Sequence, residues 1–97
     1  MTVNKWYIAG PMTGMPGLNF ENFNRVATEL RNQYFEVANP AEINPDLDAD
    51  WTECMRADIK QLVDCDAIYM LDGWETSRGA SIEYIIAKAL GMQIFLE

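Results

Sequence analysis

Four short apolar runs, each separated from the next by a longer stretch with helical spacing, leave this chain few ways to fold. The runs are Val3 to Ala9, Tyr34 to Ala38, Ala67 to Leu71 and Met92 to Leu96. Between the first two, Phe20, Phe23, Ala27 and Leu30 recur at three- and four-residue intervals, and Met55, Ile59 and Leu62 do so before the third. That spacing lays one apolar face along a helix. It predicts helices from an Asn19 N-cap to about Gln33, from Trp51 to Val63, and from Ala80 to Leu90, the last closed by Gly91. The middle helix leaves Arg56, Asp58 and Lys60 nearer water or a cleft. The segment Ala41 to Asp50, with Pro45 and four acids, reads as loop.

Strands that are apolar throughout, rather than alternating, belong in a parallel sheet covered on both faces. The order β-α-β-α-β-α-β therefore predicts a three-layer, doubly wound α/β fold of the Rossmann or flavodoxin kind. Its four-stranded parallel sheet is expected in the order 2-1-3-4. No linker, repeat or low-complexity tract interrupts residues 1–97, so one domain is expected.

With 15 acids against 7 bases the net charge is −8, and no two basic residues are adjacent. Such a surface repels a phosphate backbone and an anionic membrane, so neither nucleic acid nor membrane is an expected partner. One small phosphate is still admissible, because backbone N–H groups at a helix start can hold it without lysine. Apolar residues make up 49% of the chain, enough for a core without metal or disulfides. So short a chain does not easily enclose a concave site alone, and a homodimer or higher oligomer is expected. Cys54 and Cys65 form no C-x-x-C pair, and with no histidine there is no metal-ligand pattern. They read as reduced thiols. No apolar run reaches signal or membrane-spanning length, which makes the cytoplasm the expected compartment.

In a 2-1-3-4 sheet the chain reverses direction between strands 1 and 3, and ligands bind beyond the carboxyl ends of the strands at such a point. Two polar, glycine-bearing stretches fall there: Gly10-Pro11-Met12-Thr13-Gly14, and Asp72 through Gly79. The first is neither G-x-G-x-x-G nor a P-loop, so no dinucleotide or triphosphate cofactor is indicated. Glu83 follows closely, in what reads as the first turn of the last helix, where an acid is either a favourable helix-start charge or a group aimed at the cleft. Asp58, taken alone, reads as a solvated helix residue. Two carboxylates without a histidine suit glycosidic cleavage: one attacks or stabilises an oxocarbenium-like carbon, and the other manages protons.

Three blocks in order extend this reading: Tyr7 with Gly10-Pro11; Asp58 in a helix running to Val63-Asp64-Cys65-Asp66-Ala67; and Ser77-x-Gly79-x-x-x-Glu83. Together they resemble the nucleoside 2-deoxyribosyltransferase-like superfamily, which includes deoxyribosyltransferases and 2′-deoxynucleoside 5′-phosphate N-hydrolases. The segment Tyr7 to Gly14 is similar to a small phage- and prophage-associated branch of it. Asp66-Ala67 reverses the family's usual Ala-Asp order. The sequence ends at the fourth strand, so the family's fifth strand and C-terminal tail are not expected.

The resemblance implies a glutamate nucleophile at Glu83, an acid at Asp58 acting on the leaving base, and Tyr7 orienting the glutamate or the sugar. It places Gly10, Pro11, Met12, Thr13, Gly14, Asp72, Ser77, Gly79 and Ser81 around a nucleoside or nucleotide. Where many deoxyribosyltransferases carry an aspartate that meets the 5′-hydroxyl, this chain has Ser77, as the nucleotide hydrolases do where they meet the 5′-phosphate. A hydroxyl can donate to phosphate and a carboxylate would repel it. The implied function is N-glycosidic cleavage of a 2′-deoxyribonucleoside 5′-monophosphate. Two alternatives stand beside it: deoxyribosyl transfer, and a nucleotide-binding protein without turnover that acts as a sponge or regulator.

Overall fold

The computed structural model describes residues 2–97. The expected sheet is present: β1 (Lys5–Ala9), β2 (Glu36–Ala38), β3 (Ala67–Met70) and β4 (Gln93–Leu96) lie in the order β2-β1-β3-β4. All three pairings are parallel. Among the described residues the α-helices are α1 (Phe20–Arg31), α2 (Pro40–Ile43), α3 (Trp51–Leu62) and α4 (Arg78–Ala89).

Strand alternation sorts the core into two layers. Ile8 of β1 points into a cluster with Phe23, Val26, Ala27 and Leu30 of α1. Its neighbours Tyr7 and Ala9 point the other way, to Leu62 of α3 and Ala80 and Ala87 of α4. Tyr7, Ile8 and Ala9 are all 0% exposed. The strand is apolar on both faces because both faces are covered, as its sequence implied.

Several boundaries depart from expectation for local reasons. β1 begins at Lys5 rather than Val3, where the carboxylate of Asp66 accepts from the backbone N–H groups of Asn4 and Lys5, each at 3.0 Å. The reversed Asp66-Ala67 order thus serves to tie the strands together at the end of the sheet away from the helix starts. β2 is only three residues, since Tyr34 takes a left-handed φ of 68° and stands 98% exposed. Asn19 does not cap α1 through its side chain. It follows Gly17 and Leu18 in left-handed backbone, and its Oδ1 accepts from the Asn22 side chain at 2.7 Å instead.

The expected loop over 41–50 contains most of α2. Asn39 starts that helix, its side chain accepting from the Ala41 N–H at 3.1 Å with Pro40 in the first turn. Proline lacks the N–H that such a position would leave unpaired anyway. α4 begins two residues earlier than expected, at Arg78, because Ser77 Oγ caps the Ala80 N–H at 3.2 Å. Glu83 therefore sits in the second turn, beyond the reach of a first-turn dipole contact. β4 is the least covered strand: Phe95 and Leu96 are 48% and 56% exposed.

One glycine is fixed by a close approach. A Cβ on Gly10 would lie 2.7 Å from Leu71 Cβ, and Leu71 is itself buried. Neither atom can swing aside, so Gly10→Ala is expected to destabilise the protein by about 1–3 kcal/mol through overpacking. Thermal unfolding reads this as a lowered Tm; an unchanged Tm would show that the backbone there yields freely.

Candidate active site

Four segments converge beyond the carboxyl ends of β1 and β3: the loop after Ala9, the start of α4, and one stripe each of α3 and α4. On α3 the stripe is Trp51, Cys54 and Asp58, at positions i, i+3 and i+7, and on α4 it is Gly79 and Glu83, at i and i+4. Residues so spaced share a helix face. Gly79 lets the two helices meet, since a Cβ there would stand 3.0 Å from Met55 Sδ and 3.9 Å from the Trp51 ring.

These segments enclose an inner cleft of about 60 Å³, lined by Gly10, Thr13, Trp51, Asp58, Ser77 and Glu83 among others. It opens into an outer groove of about 570 Å³ walled by Pro11, Gly14, Thr76 and Arg78, with Met12, Thr13, Trp51, Ser77 and Gly79 shared between the two. The inner space admits only part of a ligand. The outer one lies within the range of about 300–1,000 Å³ usual for small-molecule sites. Among the described residues Arg78 is the only cationic one on either wall, and its guanidinium lies 4.1 Å from the centroid of the Trp51 ring.

The two acids singled out in the sequence are both buried, Asp58 at 6% exposure and Glu83 at 4%. Tyr7 does not line the cleft. It stands behind Glu83, reaching up from β1 to donate its hydroxyl to Glu83 Oε2. Glu83 Oε1 carries no hydrogen bond among the described residues. Asp58 is held from the side, with Asn44 Nδ2 donating to its Oδ1 at 2.9 Å.

Burial raises both carboxyls. Desolvation pushes Asp58 up to about 7, opposed by the Asn44 hydrogen bond. It pushes Glu83 up to about 8, with Tyr7's hydrogen bond opposing and the charge of Asp58 adding to the rise. Near neutral pH the pair therefore holds fewer than two negative charges, the pattern of coupled acids in a shared site. Tyr7 is raised well above the ordinary phenol range, first by burial and then by the charge of Glu83, so it remains a donor. The Cys54 thiol is raised by burial and by nearby acids, Asp58 first, and stays protonated.

The structure brings Tyr7, Asp58 and Glu83 together with Gly10 to Gly14, Ser77 and Gly79. It leaves Asp72 and Ser81 out of both walls. Asp72 is exposed, its N–H held by Glu97 Oε1 at 3.1 Å, and Ser81 Oγ turns to the Glu75 carbonyl at 3.5 Å. Among wall residues that sequence reasoning missed, Trp51 and Cys54 share a helix stripe with Asp58 and were findable by that spacing. Asn44, which holds Asp58 without lining either wall, carried no such signal. Among the described residues no group of three or more His, Cys, Asp or Glu is placed to hold a metal ion, and no helix is long and apolar enough to cross a membrane.

Residues 4–96 match the family described as a domain of unknown function, DUF4406. The chain belongs to this family. A solved structure, a 2-desoxiribosyltransferase from Leishmania mexicana, superposes with a TM-score of 0.74 at 23% identity. The match covers 96% of this chain and 63% of that protein, so the DUF4406 chain spans less than two thirds of its length. This likeness establishes a shared fold. No curated protein matches the sequence.

Proposed function

We propose that this DUF4406 protein cleaves the N-glycosidic bond of a 2′-deoxyribonucleoside 5′-monophosphate, with Glu83 as the nucleophile. The observation that carries the reading is the burial of Glu83 and Asp58 on one small cleft, with a phenol committed to Glu83 Oε2. An ordinary helix-start acid would be solvated, and two buried carboxyls without a cation between them are expensive to keep. The fold shared with a 2-desoxiribosyltransferase supports nucleoside chemistry at this position.

In this mechanism Glu83 Oε1, left free by Tyr7, bonds to the anomeric carbon as the carbon–nitrogen bond breaks. Asp58 gives its proton to the departing base, which leaves neutral. Water then attacks the same carbon and yields its proton to Asp58, releasing Glu83 and 2-deoxyribose 5-phosphate. The glutamate needs a charge and the aspartate a proton. Tyr7's hydrogen bond favours charge on Glu83, and the positive charge growing on the sugar favours it further. Asp58, at about 7, holds a proton in a good share of molecules near neutrality.

The 5′-phosphate belongs in the outer groove, whose wall carries Thr13 and Ser77 and, at the start of α4, Arg78. Ser77 spends an acceptor on the Ala80 N–H, which leaves its hydroxyl hydrogen to give. Incubation with a panel of deoxyribonucleosides and their monophosphates, followed by chromatography for free base, tests the reading. An added acceptor base separates hydrolysis from transfer. No base release across the panel, with acceptor present, would leave the binding protein without turnover as the better account.

Ser77→Asp is expected to weaken monophosphates selectively. The new carboxylate repels a dianion but not a 5′-hydroxyl, and close like charges of this kind are worth about 1–3 kcal/mol. The ratio of kcat/KM for nucleotide over nucleoside should fall at least about tenfold. A ratio unchanged by Ser77→Asp would remove phosphate from this wall.

A further inference from the structure

We infer that Asn44 is a positioning residue: its side-chain amide donates to Asp58 Oδ1 and so favours the acidic proton of Asp58 on Oδ2, the oxygen left without a partner. The inference deepens the reading of Asp58 as the acid for the leaving base, and rests on it for its catalytic meaning. Its structural content stands apart from that reading.

The contact is well placed for such a role. Asn44 closes α2, and its Nδ2 lies 2.9 Å from Asp58 Oδ1. No other side-chain hydrogen bond reaches Asp58 among the described residues. Asn44 is not a loose partner, because α2 is anchored at its other end. Asn39 is 1% exposed; its Oδ1 caps the Ala41 N–H at 3.1 Å and its Nδ2 donates to Asn24 Oδ1 of α1 at 2.9 Å. A line of amide contacts thus runs from α1 through α2 to the acid on α3.

The chemistry follows from hydrogen-bond valence. An amide NH₂ only donates, so the oxygen it faces must present a lone pair in both charge states of Asp58. When Asp58 takes a proton, the carbonyl oxygen is the better acceptor for that amide, so the proton is favoured on Oδ2. A carboxyl free to turn would present the wrong oxygen part of the time, and proton transfer requires the donor within hydrogen-bond reach of its target. The other titratable groups facing Asp58 are Cys54, one turn away on α3, Tyr7 on β1 and Glu83 on α4. None of them is hydrogen-bonded to Asp58 among the described residues, and Tyr7 is committed to Glu83. On α2 itself, Glu42 faces away and pairs with Arg31.

An amide has a donor end and an acceptor end, and the titration of Asp58 tells which one it faces. The experiment is a carbon-13 NMR titration of the Asp58 carboxyl, without ligand, in the parent protein and in Asn44→Leu, with Asn44→Ala as the second variant should the first not fold. If the amide donates to the charged form, its loss raises the Asp58 midpoint by about one pH unit. An unchanged midpoint, or a lowered one as expected if the amide accepted from the acid, would overturn the inference. Where base release is measurable, the same variant should lose kcat by about tenfold with KM little changed, as expected when proton placement rather than binding is disturbed. Failure of the parent to release base would count against Asp58 as a catalyst, while the titration, which uses no substrate, would still decide which end of the Asn44 amide Asp58 faces.

Discussion

Glu83→Gln is expected to abolish turnover while leaving the fold and ligand binding in place. Glutamine has nearly the shape of glutamate, and its amide oxygen can go on accepting from Tyr7, so the packing around Oε2 survives. What disappears is the anionic oxygen that would form the sugar ester. Loss of the nucleophile from a covalent mechanism costs at least about 10³-fold in kcat, because the remaining groups stabilise a charge that no longer forms. Binding of a deoxynucleotide, measured by calorimetry, should change far less than kcat. The variant also has an expected structural signature: a group that is partly charged and 4% exposed becomes permanently neutral. Stability at pH 8 should therefore rise, or at least not fall, as activity vanishes. Base release at near-parental rates in Glu83→Gln would return Glu83 to the status of a buried helix charge and sink the proposed chemistry.

The strand order and the position of the cleft were legible because both depend on simple periodicities. Apolar runs such as Ala67 to Leu71 signal strands covered on both sides, and the switch point between β1 and β3 follows from their order alone. What stayed hidden depends on partners distant in sequence. Asp58 looked like a surface acid because nothing near it in the chain accounts for its burial; the account lies in Asn44, fourteen residues earlier, and in the pairing of α3 with α4 through Gly79. Asn39-Pro40, directly after the expected strand Tyr34 to Ala38, would suit a strand end as well as the helix start it forms. Nothing but the following turn tells the two apart. The edge of the sheet misled in the opposite direction: Phe95 and Leu96 are as apolar as the residues of β3 but lie largely exposed. Composition records what a strand can bury, and position in the sheet decides what it does bury.

The same buried pair should dominate the pH dependence of stability. Asp58 and Glu83 titrate in the folded protein at about 7 and about 8, against ordinary values of 3.8 and 4.5. Both are raised, so the folded state holds protons that the unfolded chain has released. Their stabilisation is complete below about pH 4 and is lost as the pH climbs through 7 and 8. Each retained proton sets a slope of about 1.4 kcal/mol per pH unit. For a domain of this size 1 kcal/mol moves Tm by about 4–8 °C. Between pH 5 and pH 8.5 the Tm should therefore fall by more than about 10 °C. The assignment is unusually clean, because the chain has no histidine to titrate in that window. Burial holds the Cys65 thiol at about 11, and Cys54 is also raised, so both stay protonated in the fold and add to the decline only at the upper edge of the window, where unfolded thiols begin to ionise. Glu42, held by Arg31 below its usual range, acts in the opposite sense only in more acidic solution. In the double variant Asp58→Asn, Glu83→Gln the decline between pH 6 and 8.5 should flatten. A parent Tm constant across that window, or a slope that survives the double substitution, would mean that both carboxyls stay ionised in the fold, with water or an unrecognised partner solvating their charge.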